Sequence, residues 1–339
     1  RFSESLSSSL LSLLLFVSSL TMFMSGFVAN FEFDLKKIIA LSTLSQLGLM
    51  MSVLALGDSI LAFFHLLMHA LFKALLFMCA GCIIHSLNDC QDIRYMGSLV
   101  NSLPLTSCFF NICNLALCGL PFLSGFYSKD LILEFMSMDY MNIYVYLIFY
   151  ISTGLTVMYS ARLIYYTMVG DFNGFSFLSV SDSSIKMLKG MGGLIFLVIL
   201  GGSLMSWLMF PTPYFICLPI LMKMMVLFVI FIGGGLGYMV SKVNFSDHSK
   251  MAEFYGFSYF MCSMWNLSYL STFGVNYYVL SYGGKLSDYI DQGWSEYFGS
   301  QNLFVSLKSS TLFLEKIFSN NIKVFLTLFL IWICLILIY

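Results

Sequence analysis

His65, His69 and Lys73 recur every fourth residue inside DSILAFFHLLMHALFKALLFMCAGCIIH, the apolar stretch from Asp58 to His85. On an α-helix each step of four turns the direction by only about 40°, so the three share one stripe. The stripe climbs about 12 Å, roughly two-fifths of a bilayer's hydrocarbon thickness. An ammonium at mid-membrane costs roughly 2.5–3.5 kcal/mol even on lenient insertion scales. Imidazoles exchange protons near physiological pH, and a lysine in low dielectric surrenders its proton more readily than one in water. The pattern therefore predicts an intramembrane proton path, with Lys73 as central carrier and His65 and His69 as relays. A lone membrane histidine also fits simple packing, and a lysine can snorkel to the headgroups. Lys73 lies too deep in its helix for an easy escape.

Hydrophobic residues make up 59% of the 339 residues and charged residues 10%, against about 25% charged in ordinary soluble domains. So few charges cannot cover a soluble surface, and the fold class expected is an all-α polytopic transmembrane bundle. The net charge of −1 gives no reason to expect a nucleic-acid partner. Nine cysteines fall mostly in apolar segments without framework spacing and read as small hydrophobes. The chain opens on Arg1 and runs straight into a span, with no positively charged leader and cleavage site. A fragment of a longer protein is expected.

Taken in order, Leu6 to Val28 can span, and Asp34, Lys36 and Lys37 then anchor the start of a second span ending near Gly57. Ser42, Thr43, Ser45 and Gln46 on that helix are expected to bond a neighbouring helix. After the 58–87 helix and a polar loop, residues 103–138 read as one discontinuous helix. Pro121 and Gly125 set the break near 121–126, and Lys129 follows just beyond. Broken helices mark ion sites in transporters. Further spans are expected at 143–169, 190–210 and 214–240, with Arg162, Lys223 and His85 near helix ends and free to reach the interface. Asn244 to Glu253 reads as a charged loop, and Tyr255 to Phe273 as interfacial. Leu286, Ile290, Trp294, Tyr297, Phe304, Leu307, Leu314 and Phe318 recur mostly at three- and four-residue spacing. They predict an amphipathic surface helix at 280–318, broken at Ser319–Asn321 before a terminal anchor. The expectation is eight spans and one surface helix: 1–240 as membrane bundle, 241–279 as connector, 280–318 as lateral helix and 321–339 as anchor.

Other chemistries fit poorly. Cys79-Ala80-Gly81-Cys82 has no second pair and lies inside a span. Cys108, Cys113 and Cys118 share no helical face, and no Gly-x-Gly-x-x-Gly follows a strand. Gly233 and Gly237, four apart, suit close helix packing.

DLKKIIALSTLSQLG at 34–48, FHLLMHALFKALLFMCAG at 64–81 and LPFLSGFYSKDLILE at 120–134, in that order, resemble the antiporter-like membrane subunits of respiratory complex I. LSDYIDQGWSEYFG at 286–299, followed by an anchor, is similar to the NADH-ubiquinone oxidoreductase chain 5 family, which carries a long lateral helix. The heavy use of Phe, Leu, Ser and Met is similar to mitochondrially encoded invertebrate members. The resemblance implies a core subunit of complex I that moves protons across the mitochondrial inner membrane. Lys129 would be the exit-side group, Asp130 would pair with or orient it, and Glu134 would act one turn further on. It implies that this chain binds no cofactor: NADH, flavin, iron–sulfur clusters and ubiquinone belong to other subunits. Its partners would be membrane lipid and other membrane-arm subunits, reached partly through 280–318. Family members begin upstream with helices bearing a membrane glutamate and a further lysine, so this chain would hold the second half of the path. The alternatives are a stand-alone monovalent-cation/proton antiporter and a non-conducting scaffold.

Overall fold

Runs of leucine, isoleucine and phenylalanine between short charged or glycine-containing turns leave the backbone one economical way to satisfy its polar groups in lipid, which is the helix. The structure, a computed structural model, describes residues 3–139, 143–176, 179–182, 184–243, 254–318 and 321–338. The expected loop at 244–253 and most of the break at 319–321 lie outside them. Most of the described residues are helical, and the strand-like pairing among them is one isolated antiparallel bridge between Asp34 and Asp92.

Up to Trp265 the chain forms one unit. Its helices are α1 (Ser8–Ala29), α2 (Leu35–Ala55), α3 (Ser59–Ser86), α4 (Pro104–Cys118), α5 (Ser124–Asp139), α6 (Ile143–Ile164), α7 (Ile185–Met209), α8 (Ile220–Ser241) and α9 (Tyr255–Cys262). Six helices are long and apolar enough to cross a membrane: α1, α2, α3, α7, α8 and α6 with its π-helical extension to Val169. The other two expected spans are the α4–α5 pair and the terminal helix. α7 starts five residues earlier than expected, carrying Lys186 and Lys189 in its first turns. α8 starts later, because the chain stays extended through Pro219, its N-cap.

α3 is the hub: it packs against α2, α4, α5 and α7. α6 lies against α1, α4 and α8. Where α6 meets α8, a Cβ on Gly233 would stand 2.6 Å from the Gly154 carbonyl oxygen, and one on Gly237 2.5 Å from that of Met158. The expected packing role of this glycine pair holds.

The discontinuous helix exists, but its break covers residues 119–123 and not 121–126. Gly119 takes the left-handed conformation (φ +84) that closes a helix C-terminus, so α4 ends at Cys118. Phe122 is also left-handed (φ +70). Gly125 is not an unwinding residue. It sits inside α5, where a Cβ would come within 1.7 Å of the Ala116 carbonyl oxygen.

The turn between α1 and α2 is pinned from α6. Arg162 is buried, and its Nη1 donates to the carbonyl oxygens of Asn30 (2.6 Å) and Glu32 (2.8 Å). Its guanidinium lies over the rings of Phe33 and Tyr166. The expected snorkelling is wrong: a planar five-donor fork meets carbonyls left open at a helix C-terminus. The 88–95 loop joins this knot, with Ile93 N–H donating to the Phe33 oxygen and Leu35 N–H to that of Gln91.

From Asn266 a second unit begins. It consists of α10, running from Tyr269 to Phe318, and α11 (Ile322–Ile338), with axes inclined by 108°. α10 starts well before residue 280, so the connector expected to reach 279 is partly helix; at 1.5 Å per residue it is on the order of 75 Å long. π-helical turns at Tyr269–Phe273, Ser287–Trp294 and Tyr297–Gln301 widen its period. Every residue of the predicted apolar stripe, Leu286 to Phe318, is exposed in this unit.

Gly237→Ala is expected to destabilise the α6–α8 contact by about 1–3 kcal/mol. Gly235→Ala, whose Cβ would meet nothing within 4 Å, is expected to leave thermal stability unchanged. Arg162→Leu is expected to raise amide hydrogen exchange at residues 29–35 by about 10- to 100-fold, since bonds from a charged donor contribute about 1.5–3 kcal/mol. Exchange elsewhere in α1 should stay as it is.

Candidate functional site

The stripe on α3 turns inward, and α2 meets both of its ends, with α5 joining at His65. His65 is 1% exposed and Lys73 4%, while His69 is half-buried. Of the α2 side chains expected to bond a neighbouring helix, Ser42 and Gln46 do so, at these two residues, whereas Thr43 and Ser45 donate to carbonyls of their own helix. Lys73 Nζ donates to Ser42 Oγ, and His65 Nε2 lies 3.1 Å from Gln46 Oε1. An amide oxygen only accepts, so Nε2 carries the proton and Nδ1 accepts from the Ser128 hydroxyl on α5, 2.9 Å away. In its neutral form His65 is thus held in one tautomer between two helices.

His69 differs. Its ring stands edge-on to Phe72, with 5.4 Å between centroids, and 6.4 Å from that of His65. Its Nε2 is buried and makes no hydrogen bond. The spacing places the three side chains along one face, and among the described residues no hydrogen bond joins one of them to another.

Lys129 is 4% exposed and sits against the break. Its Nζ donates to Thr156 Oγ1 on α6 (2.7 Å) and, more weakly, to the Leu117 carbonyl oxygen (3.4 Å). That carbonyl belongs to the last turn of α4. Ending a helix there exposes unpaired carbonyls and the negative end of its dipole, a ready partner for a cation in a dry bundle. The break is therefore what makes a home for Lys129.

Asp130 does not pair with Lys129: among the described residues no ion pair joins either buried lysine to a carboxylate. Consecutive helical residues point about 100° apart, so Asp130 faces elsewhere. The two share only the walls of a cavity of about 10 Å³, with Cys118 and Thr153. Glu134, one turn on, is half-buried. Both carboxylates feel the charge of Lys223, which is itself exposed on α8 as expected. His85 is exposed at the end of α3.

Sequence reading missed Ser128 and Thr156. The helical stripe that singled out Lys73 could have found Thr156, since Thr153, Thr156 and Tyr159 repeat at three-residue spacing. Among the described residues no three His, Cys, Asp or Glu side chains gather to hold a metal.

Comparison with known proteins agrees with this architecture. Residues 2–156 match the family model described as NADH:quinone oxidoreductase/Mrp antiporter, TM. Residues 159–339 match NADH dehydrogenase subunit 5 C-terminus. NADH-ubiquinone oxidoreductase chain 5 of Anopheles gambiae is 54% identical over 96% of this chain and 56% of its own length. The Locusta migratoria protein of that name is 51% identical over 94% and 56%, and the Lumbricus terrestris one 36% over 91% and 54%. The chain spans about half the length of the curated relatives it matches. In solved structures, a chain of the Mrp complex from a Dietzia species shares the fold at a TM-score of 0.62 with 20% identity, over 90% of this chain and 34% of that one. A chain of an archaeal membrane-bound sulfane sulfur reductase does so at 0.51 with 24% identity, over 69% and 45%. On the match across its C-terminal half and more, this chain belongs to the NADH dehydrogenase subunit 5 family.

Proposed function

We propose that this chain is part of a core membrane subunit of respiratory complex I and that its α2–α6 region carries protons across the mitochondrial inner membrane. The observation that carries the proposal is a pair of buried lysines and a buried histidine held only by neutral partners. A carboxylate beside such a lysine would favour its charged form. A serine or threonine hydroxyl whose own proton is spent on its helix accepts from an ammonium and from the N–H of a neutral amine alike, so it suits both states of a carrier.

In this reading Lys73 is the central carrier. Its proton passes by way of His69 to His65, whose ring centroids lie 6.4 Å apart. His65 hands on through Ser128 Oγ toward Lys129, the exit-side group. Asp130 and Glu134 act as charges at the mouth of that path, with Lys223 as their counterpart. Residues 1–240 form the antiporter-like bundle, 280–318 the strap whose exposed apolar stripe covers neighbouring membrane-arm subunits, and 321–339 the anchor. Electron transfer from NADH to ubiquinone takes place in other subunits of the complex.

In the assembled complex, Lys73→Ala and Lys73→Arg are expected to leave assembly intact. Both should lower NADH-driven proton transport in proteoliposomes by roughly 100-fold, the low end for a positioned proton donor. Arginine keeps the charge but does not give up its proton. Normal pumping by both variants would mean a scaffold. Proton transport retained in chain preparations that never co-purify with NADH dehydrogenase activity would favour a stand-alone antiporter.

A further inference from the structure

Tyr159 is among the largest fully buried side chains of the bundle. Its hydroxyl is buried and makes no hydrogen bond of ordinary geometry, although burying an unsatisfied hydroxyl is costly. It is not remote from partners: it faces Ser42, Ser45 and Gln46, one polar stripe of α2. Two of these offer only lone pairs, because Ser42 spends its proton on the Ile39 carbonyl oxygen (2.6 Å) and Ser45 on that of Ser42 (2.9 Å). One O–H thus stands before several acceptors and is committed to none. Two of those neighbours are already engaged, Ser42 by Lys73 and Gln46 by His65.

We propose that the Tyr159 hydroxyl is a positioning switch that couples the Lys73–Ser42 pair to the Gln46–His65 pair. The inference rests on the relay reading of Lys73 and His65. When Lys73 is an ammonium, its donation to Ser42 Oγ leaves that oxygen a poorer acceptor, and Tyr159 turns to Gln46. There it competes with His65 Nε2–H for the amide oxygen and loosens the imidazole. When Lys73 has given up its proton, Ser42 Oγ becomes the better acceptor, Tyr159 turns back, and Gln46 again fixes His65 in one tautomer. The path through His69 moves the proton, and Tyr159 sets when His65 is free to take it. The other groups near the phenol are Cys118 on α4 and, one turn along its own helix, Arg162, which is engaged by backbone carbonyls.

The test is Tyr159→Phe in the assembled complex, which removes one oxygen and no carbon, alone and combined with Ser42→Ala. Proton-transport turnover is expected to fall about fivefold while electron transfer to quinone in uncoupled membranes stays intact, the scale of one net hydrogen bond. In the double variant the two effects should not add, because each breaks the same switch. Unchanged turnover in Tyr159→Phe, or strict additivity, overturns the switch. If Tyr159→Phe does not assemble, 3-fluorotyrosine at 159 keeps the shape and makes a stronger donor; unchanged turnover there overturns it equally. Lys73→Ala run in parallel separates the two ideas. Normal pumping in that variant removes the relay itself, whereas loss of pumping there with normal Tyr159→Phe removes only the switch.

Discussion

The bundle is arranged around a cost: cationic side chains placed where water is scarce must be given oxygen without being given a permanent countercharge. Each buried base meets that demand differently. Lys73 takes a serine hydroxyl, Lys129 a threonine hydroxyl and the open end of a helix, and Arg162 the carbonyls of a neighbouring turn. Carboxylates bond cations at helix ends instead, as Asp34 does with Lys37 (2.7 Å) and Asp92 with Arg94 (2.5 Å). At Asp92 burial works against the charged carboxylate, yet the hydrogen bonds and charge of Arg94, with Arg162 behind them, hold it below the usual carboxylate range. The division follows burial: the ion pairs lie at part-exposed positions, and the buried bases, Arg162 among them, take neutral oxygens.

Hydroxyls carry this design because helices satisfy half of them at no outside cost. Ser42, Ser45, Thr153, Thr156 and Ser160 each donate to a carbonyl three residues back in their own helix. The donor is thereby used and the oxygen faces outward as an acceptor. A bundle rich in such residues presents rows of lone pairs to whatever cation a neighbouring helix brings. This explains how 59% hydrophobic sequence still lines a polar seam.

The parts legible in the sequence are those that a single helical period encodes. The His65–His69–Lys73 stripe, the polar face of α2 and the Gly233/Gly237 contact needed only 3.6 residues per turn. The misreadings have separate causes. Pro121 and Gly125 looked like the break because a glycine that caps a helix and one that admits a neighbouring backbone are the same letter; only the left-handed Gly119 and the carbonyl of Ala116 tell them apart. That Asp130 would pair with or orient Lys129 rests on adjacency in sequence, which the helix's own geometry opposes for the pairing. Arg162 near a helix end looked free to snorkel because its acceptors lie more than a hundred residues away in sequence. α10 began earlier than its stripe indicated because π-helical turns shift the period through which a stripe is recognised.

Thr156 and Tyr159 sit three residues apart on α6, so the helix that holds Lys129 is also the one facing the partners of Lys73 and His65. The end of that helix is tied by Arg162 to the turn between α1 and α2, and α2 carries Ser42 and Gln46. The surroundings of both lysines thus meet on one helix, which the packed glycines hold close against α8.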